Sequence, residues 1–244
     1  MVIHMNNIEK LNNIIDDSNN IVFFGGAGVS TESGIPDFRS SDGLFNLEYK
    51  YPVEYILSHE FFKNNNKEFY KFYFDRMIYE NADINECHKK LKILEDKHKL
   101  KGIITQNIDG LHLKAGSKNV YELHGTIYKN HCIKCNKEYD LNYMLNHKDN
   151  LICNCGGLIR PDVVLYGEEL NYNTLEKSIE LIKNADTLII GGTSLKVYPA
   201  SGLIKYFNGR NLILINKEKT PYDYMASLVI NDNINDVFKK LKIN

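Results

Sequence analysis

The sequence has no large excess of either charge: 30 Lys and Arg residues nearly balance 31 Asp and Glu residues, and the formal net charge is −1. A clear basic excess is what attracts nucleic acid through its phosphates, so specific nucleic-acid binding is not expected. No apolar run reaches the roughly 18 residues that a membrane-spanning helix needs. The first ten residues also lack the apolar core of a signal peptide. We therefore expect a cytoplasmic protein without membrane contact.

Cysteine is scarce, with five residues in 244. In the reducing cytosol such residues serve as thiols or metal ligands, and a disulfide frame is not expected. Hydrophobic residues make up 43% and charged residues 25%, which is ordinary for a globular protein. The length suits one large domain, or one domain with an insert, and it allows a sizeable core.

Four short apolar runs are typical of buried parallel strands, at residues 21–24, 102–105, 187–190 and 212–215. Helical patterns lie between them, for example at 86–97 and 174–183. This alternation predicts an α/β fold with a parallel sheet, whose ligands bind at the carboxyl ends of the strands. Two stretches interrupt the alternation and are predicted to be inserts: an aromatic-rich stretch at about 36–79, read as loops plus helices, and a cysteine-rich stretch at about 131–160.

A glycine-rich loop follows the first predicted strand and runs from Gly25 to Ser30. Its small residues would let backbone N–H groups approach a pyrophosphate, and the N-terminus of a following helix would favour the negative charge. Gly26 and Gly28 match the G-x-G of the dinucleotide fingerprint, but Thr31 stands at the third glycine. A plain tight turn is an open alternative.

Four cysteines lie in two close pairs, with spacings C-x₂-C and C-x-C: Cys132, Cys135, Cys153 and Cys155. Two such pairs separated by a short loop predict a tetrahedral four-thiolate zinc site, which is structural because no coordination position stays open. Gly156-Gly157 would relieve the strain of the tighter second pair. His131 competes weakly as a ligand because it adjoins Cys132, and Cys87 is expected in the core.

The remaining motifs occur in one order along the chain. They are Gly26-Ala27-Gly28-Val29-Ser30, Gly34-Ile35-Pro36-Asp37-Phe38-Arg39, Thr105-Gln106-Asn107-Ile108-Asp109, His124-Gly125, Gly192-Thr193-Ser194 and Asn216. Together with the two cysteine pairs, this ordered set resembles the sirtuins, a family of NAD-dependent protein lysine deacylases, over essentially the whole chain. Residues 160–168, RPDVVLYGE, also resemble the substrate-side segment of that family.

The resemblance implies a Rossmann-like NAD-binding domain with a smaller inserted zinc-ribbon and helical module, and an active site between the two. The large domain would comprise residues 1–36, 80–125 and 161–244. The small module would comprise a helical insert at 37–79 and a zinc-binding insert at 126–160. A bacterial-type, zinc-binding member would use NAD as co-substrate, hold one structural zinc ion, act on acyl-lysine proteins or peptides, and work as a monomer.

The resemblance also assigns roles to residues, with His124 and Asn107 as the catalytic pair. NAD would contact Gly26, Ala27, Thr31, Asp37, Phe38, Arg39, Gln106, Ile108, Asp109, Thr193, Ser194, Asn216 and Asn233. The acyl-lysine substrate would contact Tyr70, Tyr73, Val163, Val164, Leu165, Tyr166, Leu195 and Val197. The substrate chain would add as an extra strand between residues 163–166 and 195–198.

The chemistry of these side chains suits the implied reaction. His124 is largely neutral at cytosolic pH, since the ordinary histidine pKa is about 6.5, and a neutral ring can take a ribose hydroxyl proton. Asp109 can accept a hydrogen bond from the nicotinamide carboxamide, and Asn107 can hold a water or a ribose hydroxyl. Phe38 can shield the reactive centre from bulk water.

Acyl preference is read from the helical insert. Sirtuins that remove acidic acyl groups carry Tyr-x-x-Arg there, whereas this chain reads Tyr70-Lys71-Phe72-Tyr73, with tyrosine where the arginine would be. A buried carboxylate needs a charge-assisted partner, so neutral acyl groups are expected. Two alternatives stay open: both tyrosines only pack in the core, or the shifted match from Tyr73 to Arg76 is the relevant one.

Other functions and simpler roles also remain open at this point. The same scaffold would serve a protein mono-ADP-ribosyltransferase, although a base such as His124 is not needed for that reaction. A nucleotide-sensing binding module would use the same cofactor residues without turnover. Asp37 and Arg39 would also fit a plain ion pair that orders a loop, and Asn216 would fit the end of a strand.

Overall fold

The computed structural model describes residues 6–40, 43–46 and 48–243. Nine strands run through these ranges: β1 (Ile21–Gly25), β2 (Leu100–Thr105), β3 (Val120–Glu122), β4 (Gly125–Cys132), β5 (Glu138–Asp140), β6 (Ile159–Val163), β7 (Thr187–Gly191), β8 (Asn211–Ile215) and β9 (Leu228–Ile230). The α-helices of the same ranges are α1 (Asn7–Asp17), α2 (Val53–Ile56), α3 (His59–Asn64), α4 (Asn66–Arg76), α5 (Glu86–Asp96), α6 (Leu111–Lys114), α7 (Leu141–Asn146), α8 (Tyr172–Asn184) and α9 (Ile234–Lys239). Shorter 3₁₀ helices occupy Ala27–Val29, Thr31–Ser33, Leu44–Asn46, Ala200–Tyr206 and Asp223–Met225. Among these described helices, none has the length and apolar character to cross a membrane.

Six strands form the central sheet in the order β3-β2-β1-β7-β8-β9, and every neighbouring pair is parallel. The four strands predicted from apolar runs are its middle strands, so that prediction is confirmed. All five residues of β1 and of β7 are buried. Helices cover both faces of the sheet, which explains why these runs are continuously apolar and do not alternate. The two edge strands were not predicted, because three residues are too few to show a pattern.

Two apolar cores lie on the two faces of this sheet. Helices α1, α5 and α9 pack on one face, where Phe23, Leu91 and Phe238 are fully buried. Helix α8 and the 3₁₀ helix at Ala200–Tyr206 pack on the other face, around Phe24. Burying one side chain of this size contributes roughly 1.5–3 kcal/mol. The two predicted helices correspond to α5 and α8, and both are confirmed.

A second sheet is antiparallel, in the order β5-β4-β6, and it shares a third core with α2, α3, α4 and α7. This core is rich in aromatic rings. Phe62 packs edge-on against Phe69 with ring centres 4.9 Å apart, and Tyr49 packs against Phe72 at 5.1 Å. The predicted fold class, a Rossmann-like parallel sheet with a smaller helical and cysteine-bearing module, is confirmed. The exact domain boundaries stay a prediction.

Candidate active site

A cavity of about 320 Å³ opens at the carboxyl ends of the central strands, beside the small module. The loops that follow β1, β2, β7 and β8 line it, and so does the segment that follows β6. Parallel sheets bind ligands at this edge, because loops leaving neighbouring strands converge there.

Most of the residues assigned from the resemblance line this cavity. On the proposed cofactor side they are Ala27, Thr31, Asp37, Phe38, Arg39, Gln106, Asn107, Ile108, Asp109, His124, Thr193, Ser194, Asn216 and Asn233. On the proposed substrate side they are Val163, Val164, Leu165, Tyr166 and Val197. Four assigned residues lie away from the cavity wall: Gly26, Tyr70, Tyr73 and Leu195.

The glycine-rich loop does not lead into the helix that the dinucleotide fingerprint predicts. Two 3₁₀ helices, Ala27–Val29 and Thr31–Ser33, follow β1 instead. The carbonyl oxygen of Val29 accepts hydrogen bonds from the side-chain amides of Asn85 (2.7 Å) and Asn235 (3.2 Å), so it is not free to continue a helical ladder. The charge of a pyrophosphate would therefore be met by loop N–H groups and not by a helix dipole.

The glycine loop is tied to the loops after β2 and β7. The N–H of Gly26 donates to the carbonyl of Gly191 at 3.2 Å. A Cβ on Gly26 would lie 2.7 Å from the Cβ of Thr193, so Gly26 supports the cavity floor without lining it. The Thr193 hydroxyl donates to Oε1 of Gln106 at 2.8 Å, which joins the three loops into one floor.

His124 lies between β3 and β4 on the cavity wall. Its Nδ1 lies 2.9 Å from the carbonyl oxygen of Gln106. A carbonyl only accepts, so the neutral ring carries its proton on Nδ1 and keeps the lone pair on Nε2. Burial lowers the pKa of His124, and the hydrogen bond to Gln106 opposes this in part. Gly125 follows with φ +75°, where a Cβ would collide with the carbonyl of Asp162 on β6.

Asn107, Ser30 and Asp109 form a hydrogen-bonded group on the same wall. The Asn107 amide donates to Ser30 Oγ at 3.1 Å, and Ser30 Oγ donates to Asp109 Oδ2 at 2.7 Å. Asp109 also accepts from the backbone N–H of Leu111 at 2.9 Å. Burial raises the pKa of Asp109, and these hydrogen bonds oppose the shift. The group offers amide, hydroxyl and carboxyl contacts to a polar ligand.

Asp37 and Arg39 do not form the ion pair that the sequence left open. Asp37 Oδ1 accepts from the backbone N–H groups of Arg39 (2.9 Å) and Ser40 (2.7 Å), a turn that aspartate favours. The guanidinium of Arg39 instead lies 3.9 Å from the carboxylate of Glu54. The turn that Asp37 forms holds Arg39 at the cavity wall.

Asn216 both ends a strand and lines the cavity. It directly follows β8, and its backbone N–H donates to the carbonyl of Ile230 at 3.1 Å. Its side chain donates to the carbonyl of Glu218 at 2.8 Å. Asn233 lies at the N-terminus of α9, where its side chain caps the helix by accepting from the backbone N–H of Asn235 at 2.8 Å.

The segment after β6 lines the cavity with side chains, but much of its main chain is already bonded. Three N–H groups have partners within the chain: Val164 donates to His124 O, Leu165 to the Glu168 carboxylate, and Tyr166 to Leu57 O, each at 2.9 Å. A substrate strand cannot pair with groups that are already satisfied. The prediction that the substrate strand pairs with residues 163–166 is therefore wrong for these three N–H groups. Gly167 is the next residue on the cavity wall.

Tyr70 and Tyr73 lie in the core of the small module. They are 7% and 1% exposed, and the Tyr70 hydroxyl donates to the carbonyl of Ile159. The Tyr73 hydroxyl has no hydrogen-bond partner among the described residues. These positions favour the core-packing alternative and remove the basis for reading acyl preference from Tyr73. Arg76, at the end of α4, lines the cavity instead.

The four cysteines of the predicted metal site converge in the small module: Cys132, Cys135, Cys153 and Cys155. Their Sγ atoms all lie within 4.8 Å of one another, with separations of 3.4 and 3.6 Å in two of the pairs. Sulfurs at about 2.3 Å from a tetrahedral zinc ion would be about 3.8 Å apart, so the set fits one ion. His131 lies outside this set and bonds to Asp162. A Cβ on Gly157 would lie 2.6 Å from Cys132 Sγ, so glycine is required beside the tight second pair.

Sequence reasoning missed several residues of the cavity. Leu57, Tyr79 and Ile127 line it but belong to no chemical motif, so only the packing of the small module reveals them. Ser30 and Glu168 were within reach, since both lie inside motifs quoted above.

Known proteins resemble this chain along nearly its whole length. The model of the Sir2 family matches residues 26–199. An "NAD-dependent protein deacetylase" of Clostridium acetobutylicum is 53% identical over 239 residues, covering 96% of this chain and 98% of the relative. A protein of the same name from Clostridium perfringens is 56% identical over 238 residues, with the same two coverages.

Solved structures agree with these sequence matches. One described as "Sir2-p53 peptide-NAD+" superposes with a TM-score of 0.85 and 35% identity, covering 97% of each chain. Another, described as "Sir2 bound to acetylated peptide", gives the same TM-score, identity and coverage.

Proposed function

The chain belongs to the Sir2 family, and on that premise we propose that it is an NAD-dependent protein lysine deacetylase. It transfers the acyl group of an acyl-lysine to ADP-ribose and releases nicotinamide and the free lysine. The observation that carries this proposal is His124, a partly buried ring with its Nδ1 proton directed to Gln106, on the wall of the cavity that gathers the polar residues assigned to NAD. Curated relatives carry the deacetylase name, so mono-ADP-ribosyl transfer and a purely sensing role are not favoured.

His124 acts as the general base. Loss of nicotinamide develops positive charge at the ribose, and the carbonyl oxygen of the acyl-lysine traps it. Nε2 of His124 then takes the proton of a ribose hydroxyl, so that the hydroxyl attacks the acyl carbon. The acyl C–N bond breaks, the lysine leaves as the amine, and one water is consumed to leave the acyl group on ADP-ribose. The hydrogen bond from Nδ1 to Gln106 supports the ring while it carries the second proton.

Asn107 and Asp109 bind the reacting end of NAD. The amide of Asn107, held by Ser30, orients a water or a ribose hydroxyl. Asp109 accepts a hydrogen bond from the nicotinamide carboxamide, and Ile108 packs beside it. Phe38, whose ring lies 5.4 Å from that of Phe45, excludes bulk water.

The remaining NAD contacts extend along the cavity floor. They are assigned to Ala27, Thr31, Asp37, Arg39, Gln106, Thr193, Ser194, Asn216 and Asn233, with Gly26 as support beneath them.

The acyl-lysine stem lies against the apolar side chains of the substrate side. Val163, Val164, Tyr166 and Val197 line the cavity there. Leu195 is 2% exposed and supports this wall from behind. Main-chain pairing begins at Gly167, and a substrate held largely by its main chain should show weak sequence preference.

The four-cysteine set fits one zinc ion, which would be structural. Four thiolates leave no position for a reactant, and the ion would tie β4 to the loop before β6. We expect the protein to act in the cytoplasm as a monomer. Specific nucleic-acid binding is not expected, since the net charge is −1.

The test incubates the protein with NAD, with and without an acetyl-lysine peptide, and measures nicotinamide release and lysine deacetylation. Release that depends on the peptide, with acyl transfer to ADP-ribose, is expected. His124→Ala should lower turnover about 10²-fold or more and leave NAD binding nearly unchanged. His147→Ala is the matched control, because His147 is exposed and lies outside the cavity. Near-normal turnover of His124→Ala, or transfer of ADP-ribose to the protein, would contradict the proposal.

A further inference from the structure

One carboxylate at the cavity wall collects four polar contacts. Glu168 receives the two terminal nitrogens of Arg160, at 2.8 and 3.0 Å, as a two-pronged ion pair. It also accepts from the backbone N–H of Leu165 at 2.9 Å, and Nδ1 of His59 lies 2.8 Å away. Burial raises the pKa of Glu168, but these hydrogen bonds outweigh it and lower the pKa to about 2. The carboxylate is therefore ionised at every pH where the protein would work.

Arg160 connects this carboxylate to the small module. It lies in β6, and one guanidinium nitrogen also donates to the carbonyl of Val163 at 3.1 Å. Its guanidinium carbon lies 5.2 Å from the ring centre of Phe62. Residues 160–168 are thus closed into a loop whose two ends, Arg160 and Glu168, meet in one ion pair.

Beyond Val163, the closed loop leaves one backbone N–H at the cavity wall without a partner in the described chain, that of Gly167. Val164 and Tyr166 are held by His124 and Leu57, as described above. Gly167 has φ +88° and no main-chain hydrogen bond within the described ranges, and it lines the cavity. The residues after Val163 form no regular strand, since β6 ends there.

We propose that Arg160 and Glu168 are positioning residues for the peptide substrate. Their ion pair holds residues 163–167 in the one geometry that presents Gly167 and the neighbouring side chains to an acyl-lysine chain. A bidentate arginine–carboxylate pair has a fixed planar geometry, which suits this role better than a single contact. Both side chains are largely shielded, at 15% and 18% exposure, so the loss of either leaves the other poorly paired. This inference rests on the proposed function.

The experiment compares three substitutions. Glu168→Gln keeps the length and an acceptor for the N–H of Leu165 but removes the charge. Arg160→Lys keeps the charge but loses the two-pronged geometry. Glu169→Gln is the matched control, because it makes the same change one residue later on an exposed side chain outside the cavity. For each protein, kcat, KM for an acetyl-lysine peptide and KM for NAD are measured, with zinc content and melting temperature as checks of folding.

We expect Glu168→Gln and Arg160→Lys to raise peptide KM about tenfold or more, because the first removes one charge of a shielded pair and the second removes its bidentate geometry. The KM for NAD and kcat should change less than about twofold, and Glu169→Gln should match the wild type. If Glu168→Gln does not fold, His59→Ala removes another contact of the same carboxylate and should raise peptide KM to a smaller extent.

An unchanged peptide KM in the folded variants would overturn the inference. A fall in kcat together with a rise in both KM values would also overturn the inference, since that combination marks a general structural role. A wild-type protein that neither binds nor deacetylates the peptide would instead refute the proposed function, so the two failures are distinguishable.

Discussion

Acidification from about pH 7.5 to about pH 5.5 should weaken the fold through the buried residue His88. Its ring centre lies 4.7 Å from that of His112, and both residues are almost fully buried. The backbone N–H of Asn85 donates to His88 Nδ1 at 3.2 Å, so the neutral ring carries its proton on Nε2. His88 Nε2 and both ring nitrogens of His112 have no hydrogen-bond partner in the described chain. A second proton on either ring would therefore be buried as an unpaired cation.

The magnitude follows from the two pKa values of His88. Burial lowers its pKa from 6.5 to about 4 in the folded protein, while the unfolded chain keeps the ordinary value of about 6.5. Between these values the unfolded chain binds more protons, so stability falls as the pH falls. At pH 5.5 this linkage costs about 1.4 kcal/mol for His88. Burial, with repulsion from His88, also lowers the pKa of His112, which adds a loss in the same direction.

The assay is urea unfolding at the two pH values, at equal ionic strength and with zinc present at both. His88→Gln removes the titrating ring. Between pH 7.5 and pH 5.5, the unfolding free energy of this variant should therefore fall by about 1.4 kcal/mol less than that of the wild type. His147→Gln removes an exposed histidine and should lose as much as the wild type. Equal losses in the wild type and in His88→Gln would refute the reasoning, whatever the stability of the variant at pH 7.5.

Three further predictions concern catalysis, the metal and the acyl group. Because burial lowers the pKa of His124 and only the neutral ring is a base, the acid-side fall of kcat should lie at lower pH than for an ordinary histidine, whose pKa is about 6.5; a midpoint above that value in a pH–rate profile would contradict this. Cys155→Ser should lower zinc content, measured as metal per chain, together with melting temperature, because metal affinity at such a site is folding free energy; a metal-free wild type with full stability would contradict it. Acetyl-lysine should be preferred to succinyl-lysine in kcat/KM. Among the described residues, Arg76 is the only cation that α4 places on the cavity wall, and it is exposed, so solvent would weaken its pairing with an acidic acyl group. Succinyl turnover that equals acetyl turnover and is lost in Arg76→Ala would show that Arg76 recognises the acid.

The elements that the sequence predicted well are those with a strong local signal. The four central strands are continuous apolar runs, because the sheet is covered on both faces, and this pattern is visible without a structure. The spacing of the two cysteine pairs is enough to predict a metal site, and the structure brings all four sulfurs together. The ordered motifs placed His124, Asn107 and Asp109, and all three line one cavity.

The errors have a common cause, which is that local patterns do not show orientation. Helix α4 is aromatic on several sides, so the sequence does not indicate which of its faces meets the cavity; Tyr70 and Tyr73 face the core while Arg76 does not. The helix expected after the glycine loop is replaced by 3₁₀ helices, because Asn85 and Asn235 bind Val29 from distant parts of the chain.

The fold class, the four thiolates and the order of the catalytic motifs can be predicted from the amino-acid sequence, because each depends on composition and spacing within short stretches. Which polar groups pair with one another is visible only in the folded chain. The partners of Glu168 include His59, which is more than a hundred residues away, and His88 meets His112 across two helices. Hydrogen bonds and burial depend on distances in space, and chain folding sets those distances independently of separation in sequence.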